Sequence, residues 1–219
     1  MILIRLRSGG MILKREGATR RKLKGAATKN TIFETAEKLF ALHNFNDVSV
    51  NDIVRAAGVS KGTFYVHFES KDALIASFIE DYVKKVDFGY RAHLDALPPD
   101  LSTPQMLLSL IEKIADTLVY GIGVQHMRTV YKLQLAGDVG TEVVKGYGRA
   151  LYQIFGDVLN RGIMSGEFRG DIPQEELTRH FVMAIRGISY EWCIRYPDFD
   201  LKARALAHFS LLLAAVERR

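Results

Sequence analysis

Lys61, Thr63, Tyr65 and His67 lie in the segment "AAGVSKGTFYVHFESKDAL", residues 56–74. An ammonium, a hydroxyl, a phenol and an imidazole can each donate a hydrogen bond to a phosphate oxygen or a base edge. Lys61 and Tyr65 are four residues apart, as are Thr63 and His67. On a helix, residues four apart are neighbours, and Phe64 and Phe68 form a third such pair. The spacing therefore predicts that the four polar side chains share a side facing away from the two rings. Gly62 costs a helix about 1 kcal/mol relative to alanine, a cost best explained if something approaches the backbone closely. The free N–H groups at a helix start favour an anion. Together these features describe a helix that can enter a DNA major groove. The plainer reading is a surface helical hairpin with unrelated polar residues.

The elements that must hold these residues are also readable. Gly58 supplies the backbone freedom for a tight turn between two short helices. Ser49 and Asp52 form a Ser-x-x-Asp capping box for a helix over about 50–56. Ser60 caps the next, over about 61–67, and Ser70 caps a long one, over about 71–95. Ile53, Ala57, Val59, Phe64 and Phe68 are the expected small core. Ahead of them, Ile32, Ala36, Leu39 and Phe40 make an apolar stripe over about 27–43. Asn44 is expected to end that helix in a left-handed conformation.

Residues 28–74 resemble the DNA-binding domain of the TetR family of bacterial transcriptional regulators. "SVNDIVRAAGVSKGTFY" and "HFESKDAL" carry the likeness, with Ala36 and Phe40 on the preceding helix. The resemblance implies that Lys61, Gly62 and Thr63 lead a recognition helix close to bases. It implies that Tyr65, His67 and Lys71 contact phosphate, as does Ser49 or Val50 at the start of the preceding helix. Two positions depart from the family pattern: Asn44 stands for the usual glycine and Val54 for the usual alanine.

The charge distribution fits a polyanionic partner. The net charge is +5, yet residues 1–30 contain nine Lys/Arg and a single acid, Glu16. Residues 31–74 contain four Lys/Arg and six acids. The basic character thus belongs to an N-terminal arm, over 1–26, expected to be flexible. Arg20, Arg21, Lys22 and Lys24 can follow the DNA backbone or enter its minor groove. A solubilising tail is the alternative. Met11 is a second possible start.

Other functions find little support. The single cysteine, Cys193, excludes an intrachain disulfide, sits in an apolar stretch, and suits a reducing, cytoplasmic setting. The run 205–216 is too short to cross a bilayer. The six histidines form no metal-ligand pair. No phosphate-cradling loop or nucleophile elbow occurs, so neither catalysis nor a cofactor is expected.

The remainder reads as helix, for an all-α chain of about nine helices. Expected segments run from Pro104 to about 119, then over about 122–136, 140–163, 174–195 and 199–217. Three domains follow: the arm 1–26, a helix-turn-helix domain 27–74, and a helical domain 75–219. The resemblance implies that the last binds a ligand and dimerises through its final two helices. The apolar excess of 199–217 agrees with such an interface. Met127, Tyr131, Tyr147, Phe155, Met183 and Trp192 are the candidate ligand-binding residues, each of which can equally be ordinary core. Arg128, Gln134 and Arg186 can orient a ligand's polar end. The reading is a homodimeric repressor on a near-palindromic operator, released by a small molecule. A regulator without such an effector and a helical interaction protein are the alternatives.

Overall fold

The computed structural model describes residues 9–137, 144 and 146–218, with side chains from Leu23 onward. It divides between Leu74 and Ile75 into two compact units. The described residues hold nine α-helices and one π-helical turn, matching the all-α expectation.

The first unit contains α1 (Gly9–Leu42), α2 (Val50–Ala57), α3 (Lys61–His67) and the start of α4 (Lys71–Asp95). The arm expected to be flexible is instead helical from Gly9, in one piece with the segment that enters the core. That stretch has no proline, and the alanines, arginines and lysines of residues 18–31 are good helix formers that offset the cost of Gly17 and Gly25. Ile32, Ala36 and Phe40 of α1 are buried with Phe45, Val48, Ile53, Phe64, Phe68 and Leu74. The Phe40 and Phe45 rings meet edge to face at 4.8 Å, and Phe64 and Phe68 lie 5.7 Å apart.

The end of α1 differs from expectation. Among the described residues no non-glycine adopts a positive φ, so Asn44 is not left-handed. The chain turns there through a hydrogen bond from the Asp47 amide to the Asn44 carbonyl, 3.0 Å. The Asn44 side-chain amide also donates to the Asp47 carboxylate, 3.1 Å. This local closure makes a left-handed residue unnecessary. Gly58, by contrast, takes φ +66° at the corner between α2 and α3.

The second unit contains α4, α5 (Thr103–Asp116), a π turn (Thr117–Ile122), α6 (Val124–Ala136), α7 (Ala150–Ser165), α8 (Gln174–Arg195) and α9 (Leu201–Val216). Its core joins Leu107, Leu110 and Ile111 to Ile154, Phe155 and Leu159, and to Phe181, Ala205 and Phe209. The Phe181 ring bridges Phe155 at 6.5 Å and Phe209 at 5.6 Å. The helix expected over 140–163 is interrupted: Val144 is helical, α7 begins at Ala150, and 140–143 and 145 lie outside the described residues. Residues 146–149 form turns, so Tyr147 lies off the apolar stripe assigned to it. Glycines at 146 and 148 disfavour helix there.

Behind α7 the packing is tight. A Cβ on Gly162 would lie 2.3 Å from the Phe168 ring and 2.9 Å from Thr103 Cγ2. Glu167 fixes this corner by accepting bonds from the Thr103 amide (2.8 Å) and hydroxyl (2.7 Å). Those bonds hold the Glu167 carboxyl below its usual pKa. An isolated bridge pairs Phe168 with Glu217, tying the end of α9 to the turn after α7. No helix among the described residues is long and apolar enough to cross a membrane.

Candidate functional site

Each helix of the first unit's helix pair begins with a serine cap. The Ser49 hydroxyl accepts from the Asp52 amide (3.2 Å), while the Ser49 amide donates to the Asp52 carboxylate (3.0 Å). The Ser49 hydroxyl also donates to the Asp52 carboxylate (2.5 Å), and this bond, followed by that of the amide, holds the Asp52 carboxyl below its usual pKa. Ser49 is therefore engaged in capping, and Val50 is the first residue of α2. The Ser60 hydroxyl accepts from the Thr63 amide (3.0 Å) and lies 2.8 Å from the Thr63 hydroxyl.

The four residues of α3 do not share one side. At about 100° per residue, Lys61 and Tyr65 fall on one flank of the buried Phe64–Phe68 ridge and Thr63 and His67 on the other. Lys61 and Tyr65 are exposed, whereas Thr63 and His67 are half-buried. The His67 ring faces α1, with Cε1 4.0 Å from where a Cβ on Gly25 would stand. The crest opposite the ridge belongs to Gly62 and Val66. Val66 is 79% exposed, and it was not among the candidates named from the sequence. Helical phase alone, two residues beyond Phe64 and two before Phe68, would have found it.

Gly62 is not required by the chain itself. Its φ is ordinary, and an added Cβ would meet only the Ser60 hydroxyl, at 3.7 Å. Lys71 has work inside the fold. Its ammonium donates to the carbonyls of Phe45 (2.7 Å) and Val48 (3.0 Å), bracing the turn before α2. This role inside the fold was not part of the phosphate assignment, and it occupies two of the three ammonium hydrogens. Lys24 is exposed on α1, and the side chains of Arg20, Arg21 and Lys22 lie outside those described.

In the second unit a cavity lies against α4, α5, α6, α7 and α8. It offers about 70 Å³ of room to the centres of water molecules. Met127 and Tyr131 line it as expected. The other four candidates do not. Phe155 and Trp192 are solid core, closed over by neighbouring rings. Tyr147 is 69% exposed with the Arg179 guanidinium over its ring, and Met183 is 57% exposed.

The polar wall of the cavity went unread apart from Gln134 and Arg186. Arg149 lines it and grips Asp87 with two bonds, Nε–Oδ2 2.9 Å and Nη2–Oδ1 2.7 Å. Asp87 is 4% exposed, a charge buried because it is paired. The sequence did mark it: Val83, Asp87, Tyr90 and Leu94 recur at helical spacing, so an acid occupies a core position. Burial pushes the Tyr90 phenol up to about 12 and the Tyr131 phenol higher still, so both stay neutral. Burial likewise raises the Cys193 thiol to about 11, which leaves it unreactive. Among the described residues no cluster of His, Cys, Asp and Glu could hold a metal ion.

Comparison with known proteins bears on both units. Residues 32–78 match the family described as bacterial regulatory proteins, tetR family. The transcriptional regulator EthR of Mycolicibacterium smegmatis is 36% identical over 69 residues, which span 32% of this chain and 32% of that protein. The repressor KstR2 of Mycobacterium tuberculosis is 24% identical over 169 residues, 75% of this chain and 80% of its own. Among solved structures, a TetR-family regulator from Pectobacterium atrosepticum superposes with a TM-score of 0.74 at 17% identity, covering 90% of this chain and 97% of that one. Residues 32–78 are thus similar to the family's helix-turn-helix DNA-binding domain, and 90% of the chain shares the fold of a solved regulator of that family.

Proposed function

We propose that the chain is a dimeric, sequence-specific transcriptional regulator that represses from its operator and is released by a small molecule held in the second unit. The observation that carries the reading is the exposed crest of α3. A capped helix presents Gly62 and Val66 outward, flanked by Lys61 and Tyr65, on a corner set by Gly58. Such a helix fits a major groove, with the crest toward base edges and the flanks toward phosphates. Thr63 and His67 then act from the α1 side of the helix, and Ser49 and Val50 at its rim.

Support for a dimer comes from α8 and α9. Met183, Gly187, Tyr190 and Ile194 are exposed at helical spacing on α8, and Ala207, Leu211 and Ala214 on α9. Leu211 is 73% exposed in the single chain. Apolar stripes on two successive helices suit a four-helix contact with a second copy. Two copies would read half-sites roughly 34–36 Å apart. Effector binding rests on the cavity and on a relative of the same fold: the regulator FadR of Bacillus subtilis was solved in complex with stearoyl-CoA. The limited room in the cavity favours, as a second reading, a regulator without a small-molecule effector.

Footprinting the DNA upstream of the chain's own gene tests the reading. A protected, near-palindromic segment is the expected result. Uniform binding to all sequences would remove sequence-specific regulation. Sedimentation of Ile194→Glu should give a monomer where the parent chain gives a dimer.

A further inference from the structure

The cavity has a charge imbalance that names its ligand class. Among the described residues lining it there are two arginines, Arg149 and Arg186, and no Asp, Glu, Lys or His. One acid, Asp87, sits behind Arg149 and neutralises it through the two bonds given above. Arg186 is half-buried, and its guanidinium has no hydrogen-bond or ion-pair partner among the described residues. The nearby hydroxyls are engaged with backbone: Tyr131 donates to the Arg186 carbonyl (3.3 Å) and Ser189 to that of Ile185 (2.7 Å). Both are neutral, so neither balances the charge. The rest of the wall is mostly apolar, including Ile114, Leu118 and Ile185. A half-buried guanidinium beside apolar surface is costly unless something pairs with it.

We propose that the cavity takes a singly charged organic acid, with an aliphatic or aromatic body on the apolar wall and its carboxylate on Arg186. Guanidinium and carboxylate match in shape, two parallel N–H groups against two oxygens. Asp87 sets the selectivity. By cancelling Arg149 it leaves a single positive charge among the described lining residues, so a dianion is one charge too many and a neutral ligand leaves Arg186 unpaired. The inference rests on reading the second unit as a ligand-binding domain.

The test uses the full chain and matched probes: octanoate against 1-octanol, and benzoate against benzyl alcohol, followed by calorimetry and thermal denaturation. At least one acid should bind and raise Tm while its alcohol does not. Arg186→Gln should weaken that acid about ten- to a hundred-fold, since it removes a charge-assisted bond. Arg186→Lys should recover part of the loss, because it keeps the charge. Neither variant breaks an existing ion pair, so both should fold. Equal binding of acid and alcohol overturns the proposal. So does a failure of both acids to bind, or an Arg186→Gln chain that binds acid as the parent does. Operator release separates the two readings. An acid that binds without releasing DNA removes the effector role and leaves the ligand class. A neutral compound that fills the cavity and releases DNA does the reverse.

Discussion

Gly62 and Val66 are adjacent on the crest of α3, and each separates a folding role from a binding role. The chain has room for a Cβ at Gly62, so Gly62→Ala should stabilise the first unit by about 0.5–1 kcal/mol. The same methyl group stands where DNA would meet the backbone, so operator affinity should fall. Denaturation and fluorescence anisotropy on one preparation would show the opposite signs. If both quantities rise, Gly62 is not at the interface. Val66 has no role inside the fold that explains its 79% exposure. Apolar contact with a thymine methyl is the readout open to it. Val66→Ala should cost on the order of 1 kcal/mol at one base pair per half-site and leave stability unchanged. Thr63 is the weaker reader, because its hydroxyl lies 2.8 Å from that of Ser60. A selection for preferred operators with Thr63→Ala and Val66→Ala would rank the two.

At the scale of elements, much of the first unit was legible because its boundaries are local. Ser49, Ser60 and Gly58 act within three or four residues of themselves, and α3 and α4 have the expected bounds. Interactions made at long range were not legible. Lys71 looked like a phosphate clamp because its partners, Phe45 and Val48, are carbonyls more than twenty residues away. Lys71→Met should lower the stability of the unit by about 1–3 kcal/mol, because it removes two bonds from a charged donor. It should leave the salt dependence of DNA binding unchanged. A slope reduced by about 0.9 would restore Lys71 as a phosphate-binding residue. In the second unit, the stripe over 140–163 failed because an apolar period does not report a break. Four of the six ligand candidates lie off the cavity, for a related reason. Size and polarisability chose Phe155 and Trp192, but large rings fill cores more often than they line cavities. The Asp87–Arg149 pair spans 62 residues and became visible only when α4 met the start of α7.

For the molecule as a whole, the N-terminal charge now has a shape. A helix running from Gly9 to Leu42 is about 50 Å long, and Lys24 and Lys29 occupy the part nearest α3. The ammonium of Lys29 lies 5.4 Å from the Phe68 ring centre, and Gly25 lies beside His67. With residues 31–74 net acidic, the basic residues before position 31 give the first unit its long-range attraction. Removing residues 1–24 should flatten the plot of log affinity against log salt by about 0.9 for each phosphate the shortened chain no longer neutralises. Titrations at four salt concentrations would check it, and an unchanged slope would take those residues out of DNA binding. The corner around Gly162 leads somewhere else. A methyl group there must displace the Phe168 ring, an overpacking cost of about 1–3 kcal/mol, at a residue that belongs to neither the α3 crest nor the cavity wall. Gly162→Ala should therefore fold at low growth temperature and fail at high. That would make it a conditional allele, letting a geneticist switch the regulator off by warming the culture without touching what it reads or binds.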